Sequence, residues 1–108
     1  MLSPDRALDA LGDPTRRRVF KRLRHGSRSV REIAQGMDVS RPAVSQHLKV
    51  LKDAGLVLVR AEGTRRLYEV DTVGVGAIRS WLEGFWDETL IAFKKAAEQQ
   101  AAKERKLR

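Results

Sequence analysis

The 108-residue sequence predicts a mainly helical domain with one small β-hairpin, in the order α-α-α-α-β-β-α. Three observations predict it. Four short segments open on a capping residue and carry apolar residues at helical spacing. Two strand-like runs flank a glycine-bearing turn between residues 56 and 70. A long stretch of helical period, rich in aromatic residues, follows from Thr72.

Ser3-Pro4-Asp5 is a cap, a proline suited to the first turn and an acid near the positive helix end. A short helix to about Leu11 follows, with Ala7, Leu8, Ala10 and Leu11 near one face and Gly12 after it. Asp13-Pro14 repeats the start signal for a second helix through Arg24, with Val19, Phe20 and Leu23 as its apolar side. Ser29 and Glu32 stand at capping-box spacing for a third helix over 30–35. Ser40 caps the fourth, where Pro42 falls in the first turn and its missing N–H costs little. Ala43, Val44, Leu48, Leu51 and Ala54 form the inward stripe of that helix, which Gly55 ends.

Residues 56–60 and 66–70 are strand-like, and Gly63 lies in the turn between them. Alternation separates Leu67 from Tyr68, so one of the two should be half exposed. In the last helix Val75, Ile78, Leu82 and Phe85 keep helical spacing, and Trp81, Trp86, Leu90 and Phe93 widen the stripe. Gly74 and Gly76 are poor helix residues, which leaves two starts open, one at Thr72 and one after the glycines. Past Gln99 the apolar face is lost. Two short helices joined by a tight turn and followed by a hairpin are a winged helix-turn-helix order. The expected organisation is a single domain over 1–108. Within it 29–55 are the helix-turn-helix, 56–70 the wing, 72–100 a C-terminal dimerisation helix and 101–108 a frayed tail.

The net charge of +8 is placed unevenly. Residues 1–70 carry 15 Lys or Arg against 8 Asp or Glu, whereas 71–108 carry 7 against 6. A basic N-terminal two thirds is the footprint expected of a protein that meets a polyanion. There is no cysteine, which removes disulfides, thiol redox sensing and thiolate metal sites. No run approaches the roughly 20 apolar residues of a membrane span, and the first residues turn charged before an apolar run develops. A cytoplasmic protein without a cofactor is the expectation. No nucleophile–base–acid set and no Gly-rich phosphate loop points to an enzyme.

A helix fits the major groove of double-stranded DNA, where Gln pairs with adenine, Arg or Lys with guanine, and Ser with several edges. On the fourth helix the outward candidates for base readout are Arg41, Ser45 and Gln46. Ser40, His47 and Lys49 are candidates for phosphate contacts. Arg60, Arg65 and Arg66 make a basic wing suited to a flanking groove. Arg16 or Arg17, near the start of the second helix, are candidates to clamp backbone phosphates. A solvated helix face and ordinary hairpin charges would look the same at this level.

Four segments resemble the ArsR/SmtB family of bacterial and archaeal repressors. They are Leu11-Gly-Asp-Pro-Thr-Arg16, Val30-Arg-Glu-Ile-Ala34, Val39 to Val57 (containing Ser45-Gln-His-Leu-Lys-Val-Leu-Lys52), and Gly63-Thr-Arg-Arg-Leu-Tyr68. The resemblance implies a homodimer built from the first and last helices, with one reading helix and one wing per protomer. It also implies that Ser45, Gln46 and His47 lie on the DNA-reading helix. Ile78 to Leu90 looks like a subgroup that does not sense metals, and such regulators often repress their own operon. Classical members use cysteines on the helix corresponding to Val30–Gln35, or histidines and acids on the last helices. Here Glu83, Asp87 and Glu88 offer only hard oxygen donors there, so no metal site is expected.

The aromatic stripe exceeds what one short helix needs for its own core, and aromatics favour interfaces. Leu8, Leu11, Trp81, Leu82, Phe85, Trp86, Leu90 and Phe93 are the expected dimer interface. A cleft lined by Trp81 or Trp86 could hold a small apolar effector. Two other functions stay open: an architectural DNA-binding protein of low specificity, and a winged-helix module that binds a protein partner.

Overall fold

The computed structural model describes residues 3–107, so Met1, Leu2 and Arg108, at the ends of the expected domain and tail, lie outside the described residues. Seven elements follow in the predicted order: α1 (Pro4–Ala10), α2 (Pro14–Lys21), α3 (Val30–Ala34), α4 (Arg41–Asp53), β1 (Val57–Glu62), β2 (Arg65–Val70) and α5 (Thr72–Leu107).

Each of the first four helices starts where a side-chain oxygen satisfies a free backbone N–H. Ser3, Asp13 and Ser40 accept from Arg6, Arg16 and Ala43, and all three helices carry proline in the first turn. Ser29 forms a complete capping box: the Glu32 N–H donates to Ser29 Oγ at 3.3 Å, and the Ser29 N–H donates to Glu32 Oε1 at 3.1 Å. After Lys21, α2 tightens into i→i−3 bonds, from Leu23 to Phe20 and from Arg24 to Lys21, instead of running on as α-helix to Arg24.

The core is centred on α4, which packs against α1, α2, α3 and β1. Val44, Leu48 and Leu51 are fully buried, as are Val19, Ile33 and Leu56 from the surrounding elements. Full burial of each such side chain contributes about 1.5–3 kcal/mol before the entropy of ordering it. Helix α4 ends in a Schellman arrangement. Gly55, at φ 81°, takes the left-handed position. Its N–H donates to the Lys52 carbonyl, and the Leu56 N–H donates to that of Leu51.

Strands β1 and β2 pair antiparallel in the register Val57–Val70, Val59–Tyr68 and Glu62–Arg65. Arg28 and Tyr68 exchange backbone hydrogen bonds of 2.9 and 2.8 Å, so the residue just before the Ser29 cap is stitched to β2. Leu67 is buried and Tyr68 half-buried, as the alternation requires.

The last helix keeps the expected start at 72 and departs from expectation at its far end. It begins at Thr72, with Gly74 and Gly76 inside it. Asp71 caps it by accepting from the Val73 and Gly74 N–H groups. Gly74 is required by packing, since a methyl group there would overlap the backbone carbonyl of Gly55. At the other end the helix does not fray near residue 100 but continues to Leu107. Residues 101–107 lack an apolar face, yet Ala, Lys, Glu, Arg and Leu are strong helix formers. In place of the single domain expected over 1–108, the chain forms one compact unit up to Ile78 and a second unit, the remainder of α5, from Arg79.

Candidate nucleic-acid interface

The same period that buries one side of α4 exposes the other. Arg41, Ser45, Gln46, Lys49 and Lys52 are all exposed, while Val44, Leu48 and Leu51 between them are fully buried. Ser40 is exposed, with its hydroxyl held by the Ala43 N–H at 3.2 Å as the helix cap. His47 does not share the open face. It is half-buried and lies within electrostatic reach of Asp13, the cap of α2.

The outer face of α4 meets the hairpin across an open cavity of about 420 Å³, lined among others by Ser45, Gln46, Lys49, Lys52, Arg66 and Tyr68. Arg66 is therefore the wing residue beside the reading face, and it makes no ion pair among the described residues. Its neighbour Arg65 points to the opposite side of the strand, where its Nη2 donates to Glu32 Oε1 at 2.6 Å. Arg60 shares that side, lying 3.4 Å from Glu62, 3.9 Å from Glu69 and 3.4 Å from the Ser27 hydroxyl. These pairs are half-exposed and worth about 0–1 kcal/mol each. The Arg65–Glu32 pair ties the wing to the start of α3, whereas the Arg60 ion pairs lie within the hairpin. The three wing arginines expected to act together are thus split, one on the α4 side and two on the body side.

Arg16 and Arg17 are also placed differently from expectation. Arg16 Nη1 donates to the Ala10 carbonyl at 3.0 Å, and Arg17 Nη1 to that of Leu11 at 2.7 Å. Both close off carbonyls at the end of α1, a use for cations at a negative helix end. In the free chain both guanidinium groups therefore serve as structural caps. Lys52, which helical spacing puts on the same outward face as Lys49, and Tyr68 also line the cavity between α4 and the hairpin, although neither was among the candidate contacts. For Tyr68 the period-2 strand pattern was the available signal, because it puts Arg66 and Tyr68 on one face and Arg65 on the other.

Two carboxylates are perturbed. The Arg16 backbone N–H holds Asp13 below its ordinary 3.8, with the Thr15 N–H and the charges of Arg16 and His47 adding to the effect. The Ser29 N–H, then the Ser29 hydroxyl, then Arg65 and Arg28 hold Glu32 below its ordinary 4.5. Both shifts come from cap geometry and not from catalytic surroundings. No three His, Asp or Glu side chains among the described residues are gathered to hold a metal ion, and no helix is long and apolar enough to cross a membrane.

Leu11 packs on the core of its own unit and Leu8 is half-buried. In the second unit every described residue is exposed, including Trp81 at 44%, Phe85 and Trp86 at 60% and Phe93 at 73%. Leu82 and Leu90 are exposed as well. The Trp81 and Phe85 rings stack with centroids 6.3 Å apart.

A two-helix reading unit with an antiparallel hairpin beside it defines a winged helix-turn-helix, DNA-binding transcriptional regulator. A family model described as "Helix-turn-helix domain" matches residues 11–60. The chain is 54% identical over 91 residues to the HTH-type transcriptional regulator Rv2034 of Mycobacterium tuberculosis, covering 84% of this chain and 85% of that protein. It is 30% identical over 76 residues to the transcriptional repressor SdpR of Bacillus subtilis, covering 70% of this chain and 84% of that one. Its fold is similar to the homodimeric winged helix-turn-helix DNA-binding domain of Mb0332 from Mycobacterium bovis, a possible ArsR-family transcriptional regulator. That likeness has a TM-score of 0.63 at 31% identity and covers 80% of each chain. The chain belongs to the ArsR/SmtB family of winged helix-turn-helix transcriptional regulators.

Proposed function

We propose that the chain represses transcription by binding an inverted-repeat operator as a homodimer, with no metal ion as its signal. The observation that carries this reading is the exposed row Arg41, Ser45, Gln46 and Lys49 on α4, backed by a fully buried stripe that fixes its orientation. Arg41, Ser45 and Gln46 read base edges. Ser40, Lys49 and Arg66 hold phosphates or the flanking groove, and Arg60 and Arg65 join them by exchanging weak surface ion pairs for phosphate.

The dimer is supported by the homodimeric neighbour and by the apolar face of α5, whose aromatic side chains are exposed in the single chain. A contiguous face of that kind is a surface for association. Two-fold symmetry sets the two α4 helices about 34–36 Å apart, or a multiple of it, and so matches an inverted repeat. Repression follows from occupancy of a promoter, and the relative SdpR is a repressor. The absence of cysteine and of histidine on α5 supports a signal other than a transition metal. A small apolar effector seated beside Trp81 or Trp86 would act by changing the spacing of the two reading helices.

Sedimentation with and without a selected operator duplex tests the reading. The wild type should run as a dimer and load two protomers per duplex. Phe85→Glu with Trp86→Glu should run as a monomer and bind the duplex at least about tenfold more weakly, because charges enter an apolar interface. A wild-type monomer, or a double variant that still dimerises and binds normally, would refute it.

A further inference from the structure

Helix α2 uses Arg16 and Arg17 on α1, and its remaining cations gather elsewhere. Arg18, Lys21 and Arg22 line an open concavity of about 650 Å³ together with Arg24, His25 and Arg28 of the segment that follows. Five permanent cations meet a single carboxylate there, Asp38, and none of the five forms an ion pair among the described residues. Charges of one sign held this close repel one another, and an anion entering the trough relieves that repulsion.

The place of the trough indicates which anion. Arg22 Nη1 donates to the Gln35 carbonyl at 2.8 Å, which ties the trough to the end of α3. Gly36, Met37 and Asp38 complete the lining. They form the turn that leads, through Val39, to the Ser40 cap and to Arg41, the first residue of α4. The trough thus opens beside the N-terminal end of the reading helix. In helix-turn-helix docking that end meets base edges, so its flank lies next to the phosphate backbone. Small-molecule sites are mostly apolar and enclosed. Here Met37 is the one large apolar lining residue, and Arg18, Lys21 and Arg24 are exposed. Long mobile cations along an open surface suit a run of phosphates.

We propose that this trough binds the phosphodiester backbone of DNA on the flank of the half-site, widening the footprint of each protomer beyond α4 and the wing. The proposal rests on α4 being the DNA-reading helix, and its test separates the two. The probes are duplexes recovered by the protein from a random-sequence library, either trimmed to the half-sites or carrying one further helical turn on each flank. The variant is Arg18→Gln, Lys21→Gln, Arg24→Gln, and its charge-retaining control is Arg18→Lys, Lys21→Arg, Arg24→Lys.

Wild type should bind the flanked duplex more tightly than the trimmed one. The Gln variant should lose that advantage while selecting the same sequence, and the control should keep it. With up to three phosphates released per protomer at about 0.9 each, the slope of log affinity against log salt should fall by about 2–5. A slope change of 2 carried from about 1 M to about 0.1 M salt is a loss on the order of 100-fold. Equal affinities and slopes for wild type and Gln variant on the flanked duplex would overturn the proposal, and so would an equal loss on both duplexes. If selection enriches no sequence, α4 fails as a reader. The same loss of slope is then required on plain duplex DNA, and its absence refutes the trough.

Discussion

Gly74→Ala and Gly76→Ala add the same methyl group two residues apart in α5, and their effects on stability should have opposite signs. At position 74 the new carbon runs into the Gly55 carbonyl. Both partners are backbone, so no change of rotamer relieves the overlap. Gly55 is itself fixed by its left-handed φ of 81° and the bonds that end α4. The start of α5 must therefore move away, straining the 2.9 Å bond from the Asp71 N–H to the Leu56 carbonyl. Overpacking of this kind costs about 1–3 kcal/mol, and the better helix propensity of alanine returns about 1 kcal/mol. The net is a loss of up to about 2 kcal/mol. At position 76 nothing lies within 4 Å of the added carbon, so only propensity acts, for a gain of about 0.5–1 kcal/mol. Urea unfolding at one fixed protein concentration measures both, because association would shift the midpoints. If Gly74→Ala stabilises the protein as much as Gly76→Ala does, the close approach of α5 to Gly55 is wrong.

Two further predictions concern the caps. Asp13 and Glu32 hold protons more weakly folded than unfolded, so what they contribute is fully present above their ordinary values of 3.8 and 4.5 and is lost as pH falls through the depressed ones. Asp13→Asn with Glu32→Gln should therefore flatten the fall of unfolding free energy below about pH 4.5, and unchanged slopes would contradict this. Arg16→Ala removes the bond to Ala10 and should cost about 0.5–1.5 kcal/mol in unfolding experiments while leaving the salt dependence of DNA binding unchanged. A shallower salt slope would return Arg16 to the DNA surface.

The starts of the first four helices were legible because each is a local event. A Ser or Asp is followed at short range by Pro or Glu, and the structure forms the corresponding cap. The inward stripe of α4 was legible for the same reason, since a period of 3.6 places Val44, Leu48 and Leu51 together. The role of Gly74 was not legible because propensity counts only its cost within a helix, whereas the carbonyl that requires it lies 19 residues earlier in the chain. The tail past Gln99 was misread, a missing apolar face being taken for a missing helix. The site was legible on α4 and blurred around it. Which arginine of the Arg65-Arg66 pair shares the α4 face depends on strand register, and whether Arg16 faces DNA or α1 depends on a carbonyl six residues away.

The claim on which the rest depends is that the exposed face of α4 reads bases. Selection from a random-sequence library with wild type and with Gln46→Ala measures it directly. The variant should still bind duplex DNA with the wild-type salt slope but lose discrimination at one position of each half-site, by about 1–3 kcal/mol or roughly 5- to 150-fold. The same enriched sequence at the same strength from both proteins would contradict it.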